Sequence, residues 1–162
     1  MINRLLLTLF LLPLALAGCS RESADETGAA TAEPPVADEI VSIERTASPV
    51  GARVFFITPD DGSIVSNPVT IEFGIEGMSV AKAGQQDPDS GHHHLLIDTG
   101  LPDLDQPIPA DPQHIHFGDG STSTEITLSP GEHTLQLLLG DYRHVPHDPP
   151  VVSEVITIEV EN

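Results

Sequence analysis

The chain has 162 residues, room for one domain of ordinary size, and a formal net charge of -19 at pH 7. So acidic a surface excludes nucleic acid and anionic lipid head groups as partners, because like charge repels both. With a single cysteine and no tryptophan, an intrachain disulfide and a thiolate metal cluster are excluded too, and stability must come from a packed core.

In chain order, residues 1–18 read as a cleaved signal peptide: Arg4 supplies the positive start, Leu5 to Ala17 the apolar run, and small residues close it before Cys19. The run of about 13 residues is short of the roughly 20 that span a bilayer as a helix. Leu16-Ala17-Gly18-Cys19 resembles the lipobox of bacterial lipoproteins. That resemblance implies that Cys19 is lipidated and becomes the mature N-terminus, with a second acyl chain such as palmitate making the anchorage stable. Ser20, in place of Asp, implies the outer membrane, with the protein facing the periplasm. From 19 to 51 the chain is acidic and rich in Ala, Ser, Thr and Pro, so a disordered tether is expected there.

From Ala52 to Asn162 the pattern changes to short apolar runs divided by Pro, Gly, Asp and Ser, with no helical period. Seven strands are predicted: 54–57, 69–75, 92–97, 114–117, 125–128, 133–139 and 151–160. Val69 to Ile75 alternates with period two, the sign of a half-buried strand. Turns follow at Pro59-Asp60-Asp61-Gly62, Gly118-Asp119-Gly120 and Ser129-Pro130-Gly131. Thr99 to Pro112, with four prolines, reads as an irregular crossover. Seven strands in about 110 residues imply an all-β fold, an immunoglobulin-like antiparallel β-sandwich, with a barrel as the alternative.

All eight histidines fall between His92 and His147. In an immunoglobulin-like topology the connections after the second, fourth and sixth strands share one end. His92 and His94 at the start of the third strand, His114 and His116 in the fourth, and His144 and His147 in the loop after the sixth then converge on one rim. Period two refines this: Leu95 and Ile97 face the core, taking His93 with them, while His92, His94 and Asp98 share the other face. His133 belongs at the opposite end, with no partner expected. Met78, near the same rim, is a secondary candidate ligand with His93, though both are equally core positions. Imidazole suits copper, zinc, nickel and iron, and copper or zinc is expected here.

Gly91-His92-His93-His94-Leu95-Leu96-Ile97-Asp98, His114-Ile115-His116-Phe117-Gly118 and Leu138-Leu139-Gly140-Asp141 with His144, Pro146, His147 and Pro149-Pro150 resemble bacterial domain-of-unknown-function family 4399. The resemblance covers roughly Val54 to Val160 and implies a secreted or lipid-anchored module, with no settled activity. Three function classes stay open. The first is an envelope protein that holds copper or zinc for buffering or transfer. The second is an interaction module, contacting an envelope partner, whose histidines form a hydrogen-bond network. The third is a metal-assisted hydrolase or redox enzyme. No catalytic constellation is found: Asp98, Asp119, Glu125 and Asp141 read as strand-end or turn carboxylates, and no nucleophile elbow or phosphate loop is present. The oligomeric state is not legible.

Overall fold

The computed structural model describes residues 43–161. The expected signal peptide and Cys19 lie outside the described residues. Those described form nine strands in two sheets and no helix: β1 (Arg53–Thr58), β2 (Ile64–Ser66), β3 (Val69–Glu76), β4 (Ser79–Val80), β5 (Ser90–Ile97), β6 (His114–His116), β7 (Ser123–Ile126), β8 (Gly131–Gly140) and β9 (Ile156–Glu161). The seven expected strands are all present. The short β2 and β4 have no sequence period to betray them, being three and two residues long. Both pair in parallel, β2 with β9 and β4 with β5, in an otherwise antiparallel sandwich.

One sheet has the order β1-β3-β7 and the other β2-β9-β8-β5, with β4 and β6 sharing the free edge of β5. The inner faces meet in one apolar core. Val54, Val69, Ile71 and Phe73 of the small sheet pack against Leu95, Ile97, Leu135, Leu137, Leu139, Ile158 and Val160 of the large one. The alternation of β3 is that of a strand with one face in this core: Val69, Ile71 and Phe73 are buried, Thr70 and Glu72 exposed. Met78 packs, partly buried, against the same core.

β5 departs from that alternation, because every one of its residues is buried. Its inner face, His93, Leu95 and Ile97, follows the predicted parity. Its outer face is covered by the crossover between β5 and β6, whose Leu104 and Ile108 pack on Leu96 and Leu138 to make a second apolar cluster. The same crossover returns the chain to the free edge of β5, so β6 pairs with β5 in a register that sets His94 opposite His116 and Leu96 opposite His114. At the far end of β9 the expected strand from Val151 is shortened: 151–155 run irregularly beside β8, held by Leu139 N–H to Val151 O at 2.9 Å and Leu137 N–H to Ser153 Oγ at 2.9 Å.

The part of the expected tether that is described, 43–51, is bonded to the loop between β8 and β9. Ser48 N–H donates to Asp148 O at 3.0 Å, Asp148 N–H to Thr46 O at 2.9 Å, and Arg45 Nε to Pro146 O at 3.1 Å. This stretch therefore packs with the sandwich and does not behave as linker.

His133 lies at the start of β8, away from the other histidines as expected, but it has partners that the sequence did not predict. Its Nδ1 is 2.6 Å from Asp98 Oδ2 and its Nε2 2.9 Å from Ser129 O. Burial opposes its charge, yet the Asp98 carboxylate and the Ser129 carbonyl raise its pKa on balance. Burial likewise opposes the charge of Asp98, while the Thr134 N–H and His133 take its pKa below the usual carboxylate value. A raised His pKa gives stability that is present below about 6.5 and lost as pH rises through the folded value; a lowered Asp pKa gives stability lost as pH falls below about 4. His133→Ala is expected to lower stability by about 0.5–1 kcal/mol near pH 5.5, the scale of a partly exposed pair, and by less near pH 8.5. Urea denaturation at the two pH values checks this, and an equal loss at both would refute it.

Candidate metal centre

β5 begins where β6 and β8 end, because His92 stands opposite Gly140 and His94 opposite both Leu138 and His116. Period two then aims His92 and His94 outward on the same face, and the cross-strand pairing adds His116 beside His94. The loop after β8 folds back over this face and supplies His144. Ring centroids are 4.8 Å apart for His92 and His94, 4.9 Å for His92 and His116, 4.9 Å for His92 and His144, 5.1 Å for His94 and His116, 6.0 Å for His94 and His144, and 4.7 Å for His116 and His144.

Nitrogens of His92, His94 and His116 all lie within 4.8 Å of one another, so these three residues could hold a metal ion. His144 Nε2 is 3.1 Å from His116 Nε2. Two nitrogens bound tetrahedrally to one zinc at 2.0–2.1 Å would stand roughly 3.3 Å apart, so that pair already has a suitable separation. The floor of the group, His92 and His94, is buried and its mouth, His116, is exposed. His92 Nε2 is buried with no hydrogen-bond partner among the described residues, and so is His94 Nδ1.

Two glycines make room for the rings. A Cβ on Gly140 would lie 2.8 Å from His94 Cε1, and one on Gly118 would lie 2.3 Å from His116 Cε1. The sequence marks Gly118 only as part of a turn; its need to lack a side chain is visible only once β6 is paired.

The remaining candidates go elsewhere. His114 shares the outer face with His116 but sits one step further along, with its Nδ1 2.8 Å from Asp111 Oδ1. His147 is fully buried behind the loop, its Nδ1 3.5 Å from Leu139 O. His93 faces the core, its ring 4.7 Å from that of Phe73. Sequence reasoning thus gathered six rim histidines where the structure gathers four. A loop histidine directly after a proline cannot be assigned a face without its backbone path, which here turns His147 inward. Reasoning from sequence also missed Asp141 as an organiser of the loop. Its signal was a buried-strand end, Gly140-Asp141, three residues before His144.

Burial disfavours the imidazolium form at the floor. Burial first, then the neighbouring imidazoles, lowers the pKa of His92 to about 4 and that of His94 to about 2. Burial alone lowers that of His93 to about 4. His116 is lowered also, by burial and by His144. At neutral pH this is a nest of uncharged nitrogen donors, the form in which imidazole binds metal.

Fold and site together define a small immunoglobulin-like β-sandwich with a four-imidazole group on the outer face of its larger sheet. The chain belongs to the family described as Domain of unknown function (DUF4399), whose model matches residues 71–161, more than half of its length. No curated protein and no solved structure matches it significantly.

The depressed histidine pKa values make the fold acid-sensitive. The unfolded chain takes up protons near 6.5 and the folded one only near 4 or below, so stability is complete above about 6.5 and falls as pH drops, by about 1.4 kcal/mol per unit for each such histidine. His93→Leu removes one of these groups from the core without touching the four rings. It is expected to flatten the fall between about pH 6 and 4 in urea denaturation with chelator present; an unchanged slope would show that His93 does not contribute.

Proposed function

We propose that this protein is a cell-envelope metal-binding lipoprotein that holds one copper or zinc ion on His92, His94, His116 and His144, for buffering or transfer and not for bond chemistry. The observation that carries the reading is the packing of the His94, His116 and His144 rings around that of His92, with the His92, His94 and His116 nitrogens within 4.8 Å of one another and His92 Nε2 buried without a partner among the described residues. A buried polar atom without a partner costs about 1–3 kcal/mol, and a bound cation would offset it. A purely structural network would instead be bonded throughout, whereas among these four rings the protein forms one mutual hydrogen bond, between His116 and His144.

An all-nitrogen donor set suits Zn(II) and Cu(II), with Cu(II) favoured by the Irving-Williams order where geometry does not select. Imidazole ligands carry no charge of their own when they bind a metal, so the ion keeps its charge, and the acidic protein, at -19, favours a cation nearby. The exposed His116 gives a partner access to the ion, as transfer to an envelope protein requires. Location rests on Cys19, proposed as the lipidated residue that anchors the protein to the periplasmic face of the outer membrane.

Calorimetry of the full chain, purified without a histidine tag, should show one Cu(II) or Zn(II) bound per chain at neutral pH. His92→Ala and His94→Ala should abolish uptake, and His133→Ala should leave it intact. A chain that takes up neither ion ends the reading. For the anchor, Cys19→Ser is expected to shift the protein from the membrane to the soluble fraction; its retention in the membrane fraction would remove Cys19 from the proposal.

A further inference from the structure

Three of the four rings stand on paired strands, His92 and His94 on β5 and His116 on β6. His144 alone stands on a loop, and its backbone is held by Asp141. The Asp141 Oδ1 accepts the N–H groups of Arg143 at 2.8 Å and Val145 at 3.0 Å, the two residues that flank His144. The Asp141 carbonyl accepts the His144 N–H at 2.8 Å, and the Asp141 N–H donates to Val145 O at 2.8 Å. So enclosed, His144 keeps a φ of 69°, in the left-handed region that a residue with a side chain rarely adopts.

The other carboxylate oxygen faces away from His144, toward the chain before β1. Asp141 Oδ2 accepts the Thr46 hydroxyl at 2.7 Å and the Arg143 guanidinium at 2.9 Å. Arg143 also donates to Glu44 O at 2.7 Å, and Arg45 donates to the carbonyls of Pro146 and His147. Residues 44–48 therefore lie along the loop that carries His144 and touch it at Asp141, Arg143, Pro146, His147 and Asp148. Asp141 is buried and organised on both sides, which gives it a positioning role and leaves no free lone pair for a proton-transfer role.

We propose that residues 44–48 are a clamp on the metal site, with Thr46 and Asp141 as positioning residues that set His144 as the fourth ligand, so that displacing this segment weakens metal binding. This rests on the metal reading above. A ligand on a free loop must be ordered when the ion binds, and a docked segment orders it beforehand. Residues 44–48 continue into the expected tether, so the clamp couples whatever holds or pulls the front of the chain to the retention of the ion.

The test uses the full chain without a histidine tag and Cu(II) as the probe. Affinity is measured by competition with a chromophoric chelator, and ligand number by electron paramagnetic resonance. Thr46→Val, which keeps shape and removes the hydroxyl, should weaken Cu(II) binding about tenfold, the low end for residues that orient a ligand, and should lose one nitrogen from the coupling pattern. Thr46→Ser should restore both. His144→Ala should weaken binding to a similar degree, and adding Thr46→Val to it should weaken it no further, because the effect passes through His144.

Hydrogen exchange on the metal-free chain reads the clamp without metal: the Arg143 and Val145 amides should exchange faster in Thr46→Val, with the core strands unchanged. Equal affinity for Thr46→Val and the unsubstituted chain, or an additive loss in the double variant, overturns the clamp while leaving the metal reading intact. Should the unsubstituted chain take up Zn(II) but no Cu(II), the same affinity comparison is read with Zn(II); should it take up neither ion, the metal reading and its clamp both fall, and the exchange result then reports only whether the segment orders the loop.

Discussion

The burial of β5 on both faces is the constraint on which the rest of the molecule depends. A strand in a small sandwich needs only one covered face, and β3 is built that way. β5 is covered a second time because Leu104 and Ile108 of the crossover pack on Leu96 and Leu138. The crossover covers Leu96, while His92 and His94 on the same face are buried against His116 and His144. Their rings must stay neutral, since enclosing a charged imidazole would cost several kcal/mol. The same cover carries the chain back to the edge of β5 and delivers β6, and with it His116, to the side of His94. Core packing and site geometry are thus one arrangement, and the apolar crossover is as much a part of the site as the rings are.

Polar groups in this protein are treated in two ways. Asp141 is buried, and five protein donor groups meet its two oxygens, so its charge is held below the usual carboxylate range even though burial opposes it. The buried histidine nitrogens are treated otherwise: His92 Nε2 and His94 Nδ1 have no hydrogen-bond partner among the described residues. A fold able to surround one carboxylate so fully has the means to bond its imidazoles as well. That contrast separates Asp141, whose oxygens are fully bonded where they shape a loop, from the imidazoles of His92 and His94, which keep a buried nitrogen unbonded among the described residues. His133, paired with Asp98 near the surface at the opposite end, shows how a histidine looks here when its role is structural.

Period two was legible and correct where strands are long. It put His93 with Leu95 and Ile97, and the structure seats His93 against Phe73. It put His92 and His94 together on the other face, and their rings are 4.8 Å apart. The convergence of connections at one end was legible from strand order. Less visible were the short β2 and β4, the docking of 43–48, and the fates of His114 and His147. Each depends on where irregular chain runs, and irregular chain carries no repeating pattern from which a direction can be read.

The sequence by itself determined the class of fold, the seven principal strands, the face of each β5 residue and the family, because all of these follow from local alternation and from motifs written in consecutive residues. Only the tertiary structure decided which histidines meet. His94 and His116 become neighbours through a register between strands separated by a proline-rich crossover, and His144 joins them through a loop turned by Asp141 and Thr46. Such meetings are set by packing between segments distant in the chain, and no local pattern encodes the distance between two side chains that only the closed fold brings together.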